Sequence, residues 1–179
     1  PMRRQRQRWY SDSPLPRRKA LLGVAPRAAG EQVMGTTGLA AGDMEGARAN
    51  VEQEIPGWDF DGVRRAAAAA WNRELSRIEV RTADPVRRRV FYTGLYHALI
   101  APTVFSDVDG RYLGMDHNIR RTKEGETYYT IFSLWDTFRA LHPLLTILRP
   151  ELNAEMIRSL IAKSEEGGIY PKWDMASNY

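Results

Sequence analysis

The chain contains no cysteine. That absence excludes a disulfide framework and a thiolate metal site, while leaving the redox compartment open. No run of about 18 apolar residues occurs, so the sequence offers no bilayer-spanning helix. Aromatic residues are scarce where positive charge is dense. Residues 1–41 carry eight basic side chains (Arg3, Arg4, Arg6, Arg8, Arg17, Arg18, Lys19, Arg27) against Asp12 and Glu31, an excess of six in a chain whose net charge is +4. The remainder is therefore net negative, and the high isoelectric point belongs to the first 41 residues. Trp9 and Tyr10 are the only aromatics there, too few for a stacking platform on single-stranded nucleic acid, so no nucleic-acid partner is expected. Arg17-Arg18-Lys19 precedes the apolar Ala20 to Ala25 in the manner of a signal peptide. That run falls short of the roughly 7–15 residues an export signal needs, and Pro26-Arg27 breaks it.

What is present suffices for one hydrophobic core: 179 residues, 43% of them hydrophobic,. Met44 to Glu54 is helix-prone, with Ala47, Val51 and Ile55 at i, i+4 spacing and Pro56-Gly57 as a stop. A second helix, capped by Asp59 or Asp61, runs from Gly62 to about Ile78, and Trp71 lies on its apolar face. Asp84 caps a third helix with Pro85 in its first position, continuing to Pro102 with a broad apolar surface that predicts burial. His97 on this helix is expected as a satisfied core group, with a polar pocket shared with Tyr92 and Tyr96 as the functional alternative. Asp109-Gly110 supplies turn chemistry for a small β-hairpin, with a second turn at Lys123 to Glu126. Asp107 and Asp109 resemble the opening of a calcium loop, but the later oxygen ligands and distal Glu are missing. Pro150 opens another helix that Gly167-Gly168 stops. Glu165 and Glu166 on it are about 100 degrees apart and do not face one substrate.

The organising stretch is Tyr128 to Pro143, a β-prone run that turns into a helix at Ser133, a candidate N-cap. Trp135, Asp136 and Arg139 then offer a flat apolar ring, an acceptor-only carboxylate and a forked donor within about one turn. A sugar presents C–H faces and hydroxyls, and this set suits both. On residue type alone the commoner roles are a core ring for Trp135 and a dipole-favoured acid for Asp136. Trp173 and Asp174 repeat the Trp-Asp pair near the end of the chain.

Several blocks carry a family resemblance: Glu54-Ile55-Pro56-Gly57-Trp58-Asp59-Phe60, Phe91 to His97, Phe105 to Tyr112, and Thr127 to Pro143. Their order and content resemble glycoside hydrolase family 92, the calcium-dependent exo-α-mannosidases. The resemblance implies an N-terminal β-sandwich followed by an (α/α)6 toroid, with calcium engaging the hydroxyls of a terminal mannose and a carboxylate pair performing inverting hydrolysis. It implies a mainly α fold here: connecting helices over 42–83, then the first helices of a partial toroid over 84–179 with a small inserted β-hairpin. Catalytic acid, base and calcium ligands are expected after Tyr179 and none within this chain, so the chain alone is expected to be inactive. Substrate contacts are expected from Trp135, Asp136 and Arg139, then Trp173 and Asp174, with Arg139 pairing to Asp136. The implied partner is a mannose-containing glycan, and the family's setting is periplasmic or secreted. Residues 1–41 do not read as the family's closing sandwich strand. Their Pro, Gly and Arg content predicts a disordered or out-of-frame basic tail with no stable structure before about Gly42. Two other readings stay open, another helical-toroid carbohydrate enzyme and a non-catalytic helical fragment with a basic tail.

Overall fold

Residues 19–24 and 35–174 are described by a computed structural model. In chain order the elements are β1 (Lys19–Val24), β2 (Gly35–Ala40), α1 (Met44–Glu54), α2 (Phe60–Leu75), α3 (Pro85–Ala98), β3 (Thr103–Val104), β4 (Arg111–Leu113), β5 (Ile119–Arg121), β6 (Tyr129–Thr130), β7 (Phe132–Ser133), α4 (Leu134–Thr137), α5 (Leu141–Leu148), α6 (Pro150–Gly167) and β8 (Trp173–Asp174). The fold is mainly helical, with four antiparallel two-stranded sheets among the described residues. The chain divides into two compact units. One holds the described residues up to Trp58 together with Ser106–Glu126, and the other holds Asp59–Phe105 with Thr127 onward.

In the first unit, β2 packs on α1 immediately ahead of Gly42, which corrects the expectation of no stable structure before about Gly42 for residues 35–40. β1 pairs with β2 from Lys19↔Ala40 to Val24↔Gly35, while residues 1–18 and 25–34 lie outside the described residues. The reason lies in β2's partner: Ala40 packs with Ala47 and Met44 of α1, and Asn50 donates to the Leu39 carbonyl at 2.7 Å. Gly38 lets the strand approach the helix closely. A Cβ there would lie 2.2 Å from the Ala47 carbonyl oxygen and 2.5 Å from Val51 Cγ2,. Asp43 caps α1 by accepting from Gly46 N at 2.7 Å,.

The expected hairpin forms, but its turn differs. β4 and β5 pair from Arg111↔Arg121 to Leu113↔Ile119, and the connection is Gly114–Asn118, where His117 has φ 64°. Asp109-Gly110 lies ahead of β4, in a turn closed by Gly110 N donating to the Asp107 carbonyl at 2.8 Å. Both aspartates serve that local structure. Asp107 Oδ1 accepts from Asn50 at 2.8 Å, and Asp109 Oδ2 accepts from Arg111 Nε at 2.6 Å, while Arg111 also reaches Asp43 at 2.8 Å. Asp107 Oδ2 is buried without a hydrogen bond, and burial is the main reason its carboxyl is pushed above the usual range,.

In the second unit, helix starts follow local chemistry. Asp59 accepts from Gly62 N at 2.8 Å, and Asp84 accepts from Val86 N at 2.9 Å ahead of Pro85,. α3 ends at Ala98 and is not buried as its apolar content predicts: Leu95 is its buried residue, while Val86 is 67% and Val90 66% exposed. His97 is exposed, neither a core group nor in a pocket with Tyr92, whose hydroxyl donates to the Ile78 carbonyl at 3.0 Å. Trp71 packs on Tyr96, ring centroids 4.5 Å apart. Pro143 does not interrupt a helix. It sits in the first turn of α5, where its missing N–H has no partner to lose. α6 starts with Pro150 and is closed by Gly168 at φ 81°,. Tyr129, Phe132, Leu145 and Met156 form the core, flanked by Leu99, Leu134, Leu141, Leu152 and Leu160.

Candidate functional site

The site is built around a break in one strand. Ile131 stands between β6 and β7 with φ 67°, a left-handed conformation that a β-branched residue adopts only at a cost. The break sends neighbouring residues to different partners: β6 pairs with β3, whereas β7 pairs with β8 through Phe132↔Asp174 and Ser133↔Trp173. Phe132 is fully buried and fixes the strand in the core.

Ser133 then opens α4, but without capping it: its hydroxyl donates to Asp136 Oδ2 at 2.6 Å instead of accepting from the backbone. That bond holds one carboxylate oxygen. Arg139 does not pair with Asp136, which corrects the expected ion pair. Its guanidinium lies 5.5 Å from the centroid of the Phe138 ring,, and α4 ends at Thr137, so the i, i+3 geometry of a continuous helix is not available. Trp135 is 55% exposed and Trp173 45% exposed, so neither is a core ring. Their centroids are 6.1 Å apart with planes tilted by 41°, a pair brought together by the β7–β8 ladder. The structure thus joins Trp135 and Trp173, places Asp136 and Arg139 on the exposed surface of the same segment, and buries Asp174.

Asp174 is 2% exposed. Its Oδ2 lies 3.0 Å from Lys163 Nζ and accepts from Thr130 Oγ1 at 2.7 Å. The Lys163 ammonium also lies 3.9 Å from the Tyr128 ring centroid, and the Tyr128 hydroxyl donates to Glu166 Oε2 at 3.0 Å. Burial pulls the lysine below its ordinary value, opposed by Asp174 and Glu166,. Sequence reasoning missed Lys163, Tyr128 and Thr130. The available signal was position: Lys163 continues the buried stripe of Met156 and Ser159 along α6, a place where an apolar residue is the default. Nearby, Tyr129 donates to Glu155 at 3.1 Å, and burial with that carboxylate pushes its hydroxyl up to about 12.

Among the described residues no three His, Cys, Asp or Glu side chains are grouped so as to hold a metal ion. No helix among the described residues is long and apolar enough to cross a membrane.

Comparison with known proteins gives the family and the fold. A family GH92 α-mannosidase of Bacteroides thetaiotaomicron superposes with a TM-score of 0.77 at 39% identity over 82% of this chain and 20% of its own. A structure of that enzyme in complex with mannoimidazole gives 0.78 at 38%, over 84% and 20%. An inverting mannosidase of the same organism shares the fold, with a TM-score of 0.82 at 24% identity over 90% of this chain and 26% of its own. An uncharacterized secreted glycosidase of Arthroderma benhamiae is 33% identical over 75 residues, 40% of this chain and 10% of that protein. The chain therefore spans a quarter or less of most of these relatives. Residues 46–179 match the glycosyl hydrolase family 92 catalytic domain, and the chain belongs to that family.

Proposed function

We propose that this chain supplies one wall of the sugar-binding site in a calcium-dependent, inverting exo-α-mannosidase acting on mannose-containing glycans. The observation that carries this reading is the exposed Trp135–Trp173 pair beside a carboxylate already steadied by Ser133. Two tilted indoles cover the C–H face of a hexose. Asp136 Oδ1 accepts a sugar hydroxyl while Oδ2 keeps its bond to Ser133, and the Arg139 guanidinium flanks the sugar as a donor. In this reading α2, α3, α5 and α6 are early helices of an (α/α)6 toroid. The proton donor, the base and the calcium ligands come from the rest of the longer enzyme, where an inverting pair stands roughly 6.5–9.5 Å apart with a water between. Asp174 acts from behind the wall. The 179-residue chain alone releases no mannose from an α-mannoside, with or without calcium.

The test uses the longer enzyme that carries this segment. Asp136→Asn keeps the shape but weakens the charged acceptor, a loss of about 1.5–3 kcal/mol if the hydroxyl bond is made in the transition state. The expected result is a fall in kcat/KM on an α-mannoside of about tenfold or more. Unchanged kcat/KM would return Asp136 to a purely local role beside Ser133.

A further inference from the structure

Behind the two indoles lies a charge that sugar binding leaves unused. Lys163 is 1% exposed, and three separate parts of the unit meet at its ammonium: its own helix α6, the Tyr128 ring with Thr130 beside it, and Asp174 of β8. Burying a lysine costs several kcal/mol in desolvation, and a buried ion pair is seldom more stable than well-packed apolar residues of the same volume. Its contribution is then one of geometry, since the carboxylate has a single place where it is satisfied.

β8 needs such a fixed point. It is two residues long, joined to β7 by two residue pairs and by Leu134 N donating to the Lys172 carbonyl at 3.2 Å, and a ladder this short is marginal alone. Successive strand residues point to opposite faces. With Asp174 drawn inward, Trp173 must point outward, and a slip of one residue would exchange them.

We propose that Lys163 is a positioning residue: by anchoring Asp174 it sets the register of β8 on β7 and so holds the Trp173 indole beside Trp135. Its effect on sugar binding rests on the saccharide reading of those rings, whereas its effect on ring placement does not.

Circular dichroism of the 179-residue chain reads the placement directly, because two neighbouring indoles couple as an exciton pair. Trp135→Phe and Trp173→Phe identify the couplet that belongs to this pair. Lys163→Met, apolar and similar in length, is expected to keep the helical signal and a cooperative melt while losing that couplet to the extent that Trp173→Phe does. Asp174→Asn, which preserves shape, is expected to diminish it. A couplet unchanged in Lys163→Met, or absent from the unsubstituted chain, overturns the proposal. So does loss of helical signal in both variants, which would make the pair a determinant of the whole fold and not of one strand. Titration with methyl α-mannoside, followed by indole fluorescence, separates the two readings. A couplet that Lys163→Met abolishes upholds the anchor whatever the sugar does, and a longer enzyme carrying this segment whose indole fluorescence does not respond to the mannoside refutes the saccharide platform.

Discussion

Replacing Gly38 by alanine tests the least expected part of the fold, the seat of β2 on α1. An added Cβ would meet the Ala47 carbonyl oxygen at 2.2 Å and Val51 Cγ2 at 2.5 Å. Carbon and carbonyl oxygen come to rest at about 3.3–3.6 Å, so the strand must retreat by roughly 1 Å. The nearer obstacle is backbone within a helix and cannot rotate aside. A gap of this size forfeits a quarter to a half of each dispersion contact along the seam, and the expected cost is about 3 kcal/mol, the upper end for overpacking. Gly57→Ala is the control, since nothing lies within 4 Å of its added Cβ. Urea denaturation should show Gly38→Ala lowering the midpoint by about 1 M or more at unchanged slope, with Gly57→Ala within about 0.5 kcal/mol of the starting chain. Amide exchange should quicken over residues 35–40 in the first variant alone. Equal stability and equal exchange for the two variants would refute the packing of β2 on α1.

Two further outcomes are expected. Leu145→Ala removes a side chain that is 1% exposed in the core with Phe132 and Met156, so it should cost about 2–5 kcal/mol in equilibrium unfolding; a loss under about 1 kcal/mol would mean that this core is loosely packed. Asp107, whose carboxyl burial raises above its unfolded value of 3.8, binds its proton more tightly when folded, so its contribution to stability declines as pH rises from about 4 through the folded value; unfolding curves taken at several pH values should show the stability of the parent chain relative to Asp107→Asn falling over that range, and a constant difference between the two would contradict it.

Elements encoded by neighbouring residues were legible in the sequence. Asp84-Pro85 marks the start of α3, and Pro150 with Gly168 brackets α6, because caps and stops act within one turn. Distant pairing was not legible. Ser133↔Trp173 joins positions whose intervening chain carries no sign of the ladder, and β1–β2 was hidden because glycine-rich strands lack the alternation that betrays a half-buried sheet. The candidate site divides in the same way. Trp135 and Asp136 were singled out as candidates from their chemistry, whereas nothing in the sequence showed that Asp174 is buried against Lys163 of α6. The expected Arg139–Asp136 pair failed because α4 stops before Arg139.

The left-handed Ile131 has a consequence for how freely this segment can vary. Sliding the strand by one residue would shift the same backbone demand onto Thr130 or Phe132, both buried and neither suited to it,. Only one reading frame is therefore tolerated, and an insertion or deletion between Tyr129 and Ser133 would be far more damaging than most single substitutions there. Ile131→Gly would relax the backbone, but it would also make the neighbouring frames cheaper and weaken the barrier against misalignment. A residue that looks poorly chosen for its conformation thus acts as punctuation, separating the part of the strand that belongs to the core from the part that carries the exposed indoles.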